Sequence, residues 1–539
     1  RPAPVPARRL EASRCPQSGL GRLMPTRAAA LARLSVAEPW DVLIIGGGAT
    51  GLGCAVDAAA RGCRTLLVER NDYASGTSSR STKLIHGGVR YLRQGELSLV
   101  RHALHERARL LRNAPHLVRP LPFVIPARHR LDQITYAAGL KLYDLLAGAD
   151  NLDPSRWLSR QQTLAALPGC REAGLCGGVQ YWDAQFDDAR LAITLMRTAT
   201  DLGATCLNYL AVTRLLKSGG KICGALLRDT ETDDEYEVRA KAVINATGVY
   251  ADTVRHFDEP QAQPLLAHSQ GIHLVVDTGF LPGNTALLIP ETEDGRVMFA
   301  IPWQGKVLLG TTDTERADLP QDPQPLAGEV DFLLRTAAGV LARPPQRSDV
   351  RSAFAGLRPL LDPQHSTGSH GTATLSREHV VLVGESGLIT VAGGKWTTYR
   401  WMAEQVVDSA LKVAGLPAVS CCTHDLRLHG GGAGNEVGGG VYGSDAAVLA
   451  GLCGADRSLH AALPFTEAMV RFAVRHEAAR TVEDVLARRT RALFLDASAA
   501  EAMIPRVGEI LAEELKPAPE RLAILLGAAR QSARNFSLC

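Results

Sequence analysis

Asp41-Val42-Leu43-Ile44-Ile45-Gly46-Gly47-Gly48-Ala49-Thr50-Gly51 joins an apolar run to a glycine cluster with no spacer between them. Four consecutive apolar β-formers, 42–45, are too short a run for a helix and suit a strand buried on both faces. Small residues over 52–61 then read as a helix, and 65–68 as a second strand ending at Glu69. The spacing of Gly46, Gly48 and Gly51 fits that strand-turn-helix setting. The first glycine permits the tight turn, the second lets backbone approach a pyrophosphate, and the third allows close helix packing. Glu69, 18 residues beyond Gly51, is placed to accept from ribose hydroxyls. The unit predicts a dinucleotide but does not choose between FAD and NAD.

Outward from this unit, 539 residues exceed one compact core and predict two or three domains. Hydrophobic residues at 46% and charged residues at 21% describe a globular chain, not a disordered or fibrous one. A net charge of +3 gives no reason to expect nucleic acid. The eleven cysteines form no CxxC pair or Cys/His cluster, so neither a metal site nor a disulfide framework is expected, and a reducing compartment fits. Apolar stretches are interrupted by Asp57 and Glu385 before reaching the length of a spanning helix. The first 23 residues carry five arginines, four prolines and a single acid, Glu11, an unstructured composition that suits a transit peptide except for its prolines and reads more plainly as sequence upstream of the preferred start, Met24.

Further along, 242–245 is a second buried strand that runs into Ala246-Thr247-Gly248. Between about 262 and 355 the texture changes to short alternating strands with turns, the pattern of an antiparallel sheet. Residues 388–391 return to a buried strand, ending in Gly393-Gly394 and feeding a helix over 395–413. The glycine-rich 430–440 reads as linker, and 464–515 as helical with a capping box from Ser498 to Glu501.

Downstream of Glu69, hydroxyls, glycines and ionisable groups crowd into Gly76-Thr77-Ser78-Ser79-Arg80-Ser81-Thr82-Lys83-Leu84-Ile85-His86-Gly87-Gly88-Val89-Arg90-Tyr91-Leu92. This run resembles FAD-linked glycerol-3-phosphate dehydrogenases, within the wider D-amino-acid-oxidase-like flavoproteins. The likeness extends over most of 24–515, through NATGVYAD (245–252), SQGIHLVVD (269–277), GTTDT (310–314), AGLRPL (355–360), GGKWTTYR (393–400) and VEDVLARRTRALFLD (482–496). The resemblance implies an α/β fold with a discontinuous Rossmann-like FAD-binding domain, an antiparallel-sheet substrate domain and a helical C-terminal domain. The expected division is an N-terminal extension largely without fixed structure over 1–40, FAD-binding parts at 41–120, 181–261 and 366–415, a substrate or cap insertion at 121–180, the substrate domain at 262–365, and the helical domain at 416–539. No calcium-binding loop of the EF-hand type is found, so calcium control is not expected.

Oxidising a secondary alcohol requires a hydride acceptor and a proton acceptor, and a phosphate dianion requires fixed cationic donors. Candidates for all three lie in the matching strings. His86 is either the proton acceptor or a flavin contact. His273 alternates with Ile272, Leu274 and Val276 on its strand and so faces away from them, as a second candidate. Arg358, between Leu357 and Pro359, suits bidentate phosphate binding, with Arg90 and Tyr91 as possible additions to the same site. Lys395 suits flavin tuning or substrate binding. Thr312 and Asp313 read as a structural turn. Thr77, Ser78, Ser79, Lys83, His86, Gly87, Gly248, Gly393 and Lys395 complete the expected cofactor contacts.

The family passes its electrons to a quinone, so ubiquinone or menaquinone is the implied acceptor and glycerol 3-phosphate the implied substrate, with an oxygen-using glycerol-3-phosphate oxidase or another D-amino-acid-oxidase-like flavoenzyme as the alternatives. Seven arginines and three histidines between Arg90 and Arg119, against Glu96 and Glu106, suggest a basic face for peripheral membrane contact. A cytoplasmic protein on a bacterial inner membrane is expected, with the mitochondrial inner membrane as the alternative. A homodimer is compatible with the sequence.

Overall fold

The computed structural model describes residues 24–93, 95–293, 295–362, 379–432 and 440–538. The opening apolar run is the strand Trp40–Ile45, in which Val42, Leu43 and Ile44 are wholly buried. It lies between Thr65–Val68 and Glu235–Asn245, parallel to both. Leu388–Gly393 adds to the far side in parallel, and Thr205–Leu207 to the near side. Strands drawn from four distant parts of the chain thus form one doubly covered sheet, as their continuous apolar composition requires. The helix Ala49–Ala60 starts at Gly48 and packs over it, against Tyr399–Val413 and Asp188–Asp201. His379–Val383 closes one edge antiparallel.

The second sheet is almost wholly antiparallel. Its order runs from Thr314–Arg316 through Leu266–Asp277, Lys306–Gly310, Met298–Trp303, Ala286–Ile289, Val118–Ala127 and Gly177–Phe186 to Leu84–Ile85. Val350–Leu361 pairs with Leu266–Asp277 from Leu266 to Val276. The parallel contact of Ala286–Ile289 with Val118–Ala127 makes one continuous floor from 118–127, 177–186 and 266–361. The pair Leu84–Ile85 hydrogen-bonds to Gly177–Phe186, so the segment that follows the dinucleotide turn is itself an edge of this floor.

The C-terminal region is helical, with Glu467–Glu477, a π-turn at Asp484–Arg489, Ala497–Leu515 and Pro519–Asn535. The expected capping box at Ser498 is corrected. The N-cap is Asp496, in extended backbone, whose carboxylate accepts from the Ala499 N–H at 3.0 Å, and Ser498 lies inside the helix. Of the glycine-rich segment, residues 433–439 lie outside the described residues. At the other end, Thr26 caps the helix Arg27–Ala32, and Arg27 reaches the Asn208 carbonyl and Asp229.

Candidate active site

A cleft of about 970 Å³ runs between the two sheets. One part is walled by Gly46, Gly48, Ala49 and Thr50, with Glu69, Thr77, Ser78, Gly248 and Gly393 also on its surface. Bare backbone matters here for two different reasons. Gly46 has φ +109°, and a Cβ there would stand 2.7 Å from the Ala246 carbonyl oxygen. Gly51 faces inward, where a Cβ would stand 1.9 Å from the Gly46 carbonyl oxygen, so it is the packing contact between helix and strand. The helix N-terminus opens on the cleft, a favourable place for a pyrophosphate. Both oxygens of Glu69 accept backbone N–H groups, from Gly47 (2.7 Å) and Asn71 (2.9 Å), and burial raises its pKa. A carboxylate held this way retains lone pairs for ribose hydroxyls. These residues fit the diphosphate and ribose of FAD.

At the other end of the cleft the register of the antiparallel floor does the positioning. Ser269 pairs with Arg358, and His273 pairs with Phe354 on one side and Gly310 on the other. Residues 269 and 273 are an even number apart, so Arg358 and His273 rise from the same face on neighbouring strands. Two glycines give them room. A Cβ at Gly271 would stand 2.1 Å from Arg358 Nη2, and one at Gly310 would stand 2.1 Å from His273 Cδ2.

Arg358 is held by the extended link that follows Gly310. Its Nη2 donates to Thr311 Oγ1 (3.0 Å) and the Thr312 carbonyl (2.9 Å), and Nη1 lies 3.3 Å from Asp313. Asp313 also accepts from the Ser269 hydroxyl, and Thr312 Oγ1 donates to Glu329 at 2.8 Å. The turn expected at Thr312 and Asp313 is corrected: 311–313 is an extended link between Lys306–Gly310 and Thr314–Arg316, which both pair antiparallel with Leu266–Asp277, and this link aims the guanidinium. His273 Nε2 lies 3.0 Å from Thr82 Oγ1, its ring stacks on Phe354 at 5.0 Å, and Nδ1 has no hydrogen-bond partner among the described residues. Burial, reinforced by the charges of Lys83 and Arg358, holds its pKa well below the ordinary histidine range. The imidazole is neutral at physiological pH.

Lys395 follows Gly394 and precedes the short helix Trp396–Thr398, and its Nζ lies 3.6 Å from the centre of the Tyr91 ring. Both residues line the cleft, as does His86. The Thr397 hydroxyl accepts from the His86 N–H and donates to the His86 carbonyl, each at 3.2 Å. Trp396 Nε1 donates to the Ser78 carbonyl and Ser78 Oγ accepts from the Ala49 N–H, both at 2.9 Å. The loop before the floor, the dinucleotide helix and the returning strand are thereby tied together.

Three expected cofactor contacts are corrected. Lys83 has φ +63° and is fully buried, with Nζ bonded to the Ser79 carbonyl and Asp188, each at 2.7 Å. Ser79 is buried beside it, and the Gly87 N–H donates to Tyr143 Oη (2.8 Å). None of the three is on the cleft wall: Ser79 ends the short helical turn Thr77–Ser79 on its inner side, Lys83 is drawn inward by Asp188, and Gly87 packs against Tyr143 and Leu104. The Arg90 side chain lies outside the described residues. Thr82, Thr311 and Trp396 went unmarked, although each sits in a string singled out above. A loop hydroxyl in sequence reads as a turn, and only tertiary pairing reveals Thr82 against His273.

Away from the cleft, ligand atoms of Glu404, Cys421 and His424 lie within 4.8 Å of one another. Arg400 Nη1 already occupies that corner, 2.9 Å from Glu404 and 3.6 Å from Cys421 Sγ.

Fold and cleft define an FAD-dependent oxidoreductase, and the family of that description matches residues 41–400, while "C-terminal domain of alpha-glycerophosphate oxidase" matches 439–522. The probable mitochondrial glycerol-3-phosphate dehydrogenase of Caenorhabditis elegans is 42% identical over 532 residues, covering 91% of this chain and 73% of that protein. The mitochondrial glycerol-3-phosphate dehydrogenase of Homo sapiens is 40% identical over 548 residues, covering 94% and 75%. The crystal structure of the Bacillus halodurans glycerol-3-phosphate dehydrogenase complexed with FAD superimposes with a TM-score of 0.76 at 32% identity, covering 95% of this chain and 97% of that one. The chain belongs to the FAD-dependent glycerol-3-phosphate dehydrogenase family.

Proposed function

We propose that this chain oxidises sn-glycerol 3-phosphate to dihydroxyacetone phosphate and passes the electrons to a membrane quinone. The observation that carries the reading is the convergence of Arg358, Lys395 and a neutral His273 on the cleft whose other end is the dinucleotide turn. Bound FAD supplies the acceptor for the hydride leaving C2. Arg358, braced by Thr311 and the Thr312 carbonyl, presents its guanidinium to the phosphate dianion. Lys395, against Tyr91, adds a second cation on the same cleft. His273, with Nε2 fixed by Thr82, takes the hydroxyl proton as the alcohol becomes a ketone. His86, its backbone bound on both sides by Thr397, holds the neighbouring cleft wall.

Anaerobic mixing with sn-glycerol 3-phosphate should bleach the flavin absorbance, and a quinone analogue should restore it. Loss of bleaching in His273→Ala but not His86→Ala is expected. A flavin that dithionite reduces and glycerol 3-phosphate does not would refute the reading. The match of 439–522 to an oxidase domain favours oxygen as the alternative acceptor, which stoichiometric peroxide, undiminished by quinone, would establish.

The membrane contact is best carried by another helix than the one the charge pattern favours. Among the basic residues of 90–119, Arg107 is buried on Asp183 and Arg109 is paired with Glu106. The helix Arg130–Ala147 instead turns an apolar stripe outward, with Leu131 (77%), Ile134 (55%), Leu142 (39%) and Leu145 (75%) exposed. Trp157 is exposed on the adjoining strand, and Arg130, Lys141, Arg156 and Arg160 are exposed around it. An apolar stripe with flanking cations suits the interface of an anionic bilayer, and no helix among the described residues is long and apolar enough to cross one. The mitochondrial names of the curated relatives favour the mitochondrial inner membrane over a bacterial one as its location. Leu131→Glu/Leu145→Glu should cut flotation with anionic vesicles about tenfold or more at unchanged flavin content. Equal flotation would reject this face.

A further inference from the structure

Beneath the flavin-binding turn lies a buried ionic cluster that the proposed chemistry does not use. The turn Thr77–Ser79 has two sides. On the cleft side are Thr77 and Ser78, tied to the Leu357 carbonyl (2.6 Å), the Ala49 N–H and Trp396. On the hidden side the Ser79 carbonyl accepts two charged donors, Lys83 Nζ at 2.7 Å and Arg491 Nη2 at 2.9 Å. Asp188 joins the same two cations, through Oδ2 to Lys83 (2.7 Å) and Oδ1 to Arg491 (3.0 Å). All three side chains are buried, within a box made by Trp303, Phe354 and Phe494.

Arg491 comes from the other end of the chain, 412 residues from Ser79. It directly follows the π-turn Asp484–Arg489 and Thr490, and it has φ +67°. Lys83 likewise has φ +63°. Both cations that grip the turn therefore sit in backbone that non-glycine residues rarely adopt, and such conformations persist where surrounding contacts over-determine them. Two positions earlier in the same C-terminal motif, Arg489 makes a fork on Asp72, and Arg488 also reaches it, so the segment from 72 to 83 is gripped at both ends.

We propose that Arg491 is a positioning residue for the flavin: through the Ser79 carbonyl and the Lys83–Asp188 pair, the helical C-terminal region holds Thr77 and Ser78 in the shape that FAD binds. The inference rests on the FAD fold and not on the identity of the substrate.

The test measures FAD Kd by re-titrating deflavinated protein, together with the visible circular dichroism of the bound flavin and Tm. Arg491→Met and Lys83→Met should each raise the FAD Kd about tenfold or more and alter the dichroism. The double variant should fall short of the product of the two, because both act on one carbonyl. Arg471→Met, which removes the C-terminal ion pairs to Glu513 and Glu514, should lower Tm with the FAD Kd unchanged. If Arg491→Met does not fold, Lys83→Met carries the test on the same readouts. A Kd within about twofold of wild type with unaltered dichroism, for whichever variant folds, overturns the proposal. None of these readouts uses substrate, so this failure leaves the glycerol 3-phosphate reading standing.

Discussion

At the dinucleotide turn the chain presents bare backbone from one short stretch, Gly46 to Gly51, whereas the far end of the cleft is made of side chains from positions 82, 273, 358 and 395. The first surface is local and depends on atoms that are missing. The second is assembled by sheet register, and its glycines, Gly271 and Gly310, serve the side chains that lie across them. The two ends should therefore fail differently. Damage to the turn removes the cofactor, and damage to the floor leaves a yellow protein with impaired chemistry.

Gly51→Val is the most severe break. With a Cβ 1.9 Å from the Gly46 carbonyl oxygen the helix and strand cannot both keep their places, so the purified protein should carry no FAD. Flavin absorbance per protein checks this, and full retention would contradict the packing role. At the floor, Gly310→Ala pushes a methyl into the His273 ring and should lower kcat about 10²-fold while FAD remains bound. A colourless Gly310→Ala protein would erase the contrast between the two ends.

A smaller effect follows from the titration of His273. Its folded pKa lies well below its unfolded value of about 6.5. As pH falls below that value the unfolded chain takes a proton that the folded protein refuses, so stability drops toward the folded pKa. Tm should decline on acidification below about pH 6.5, and His273→Asn should flatten part of that slope. An unchanged slope would mean that the imidazole is protonated in the folded state.

Legibility followed the same divide. The strand 42–45, its turn and its helix could be read from adjacent residues, because spacing and apolar content determine them locally. His273 and Arg358 were legible as candidates, but their shared face depends on the pairing of strands that the sequence does not announce. Lys83 was misassigned because a lysine in a hydroxyl-rich loop reads as a ligand contact. Its burial is decided by Asp188 and Arg491, which lie 105 residues from Lys83 and 412 from Ser79. The proposed membrane face rests on the exposed leucines of 130–147 and not on the charge pattern of 90–119, because Arg107 and Glu106 spend their charge internally.

The most direct test of a phosphate-reading floor is anaerobic reduction of the flavin by glycerol 3-phosphate and by glycerol, in wild type and in Arg358→Met. The account predicts that the wild type strongly prefers the phosphorylated alcohol, and that Arg358→Met loses about 10²- to 10³-fold in the reduction efficiency for it with little change for glycerol. Equal losses for both alcohols, or none for either, would contradict it.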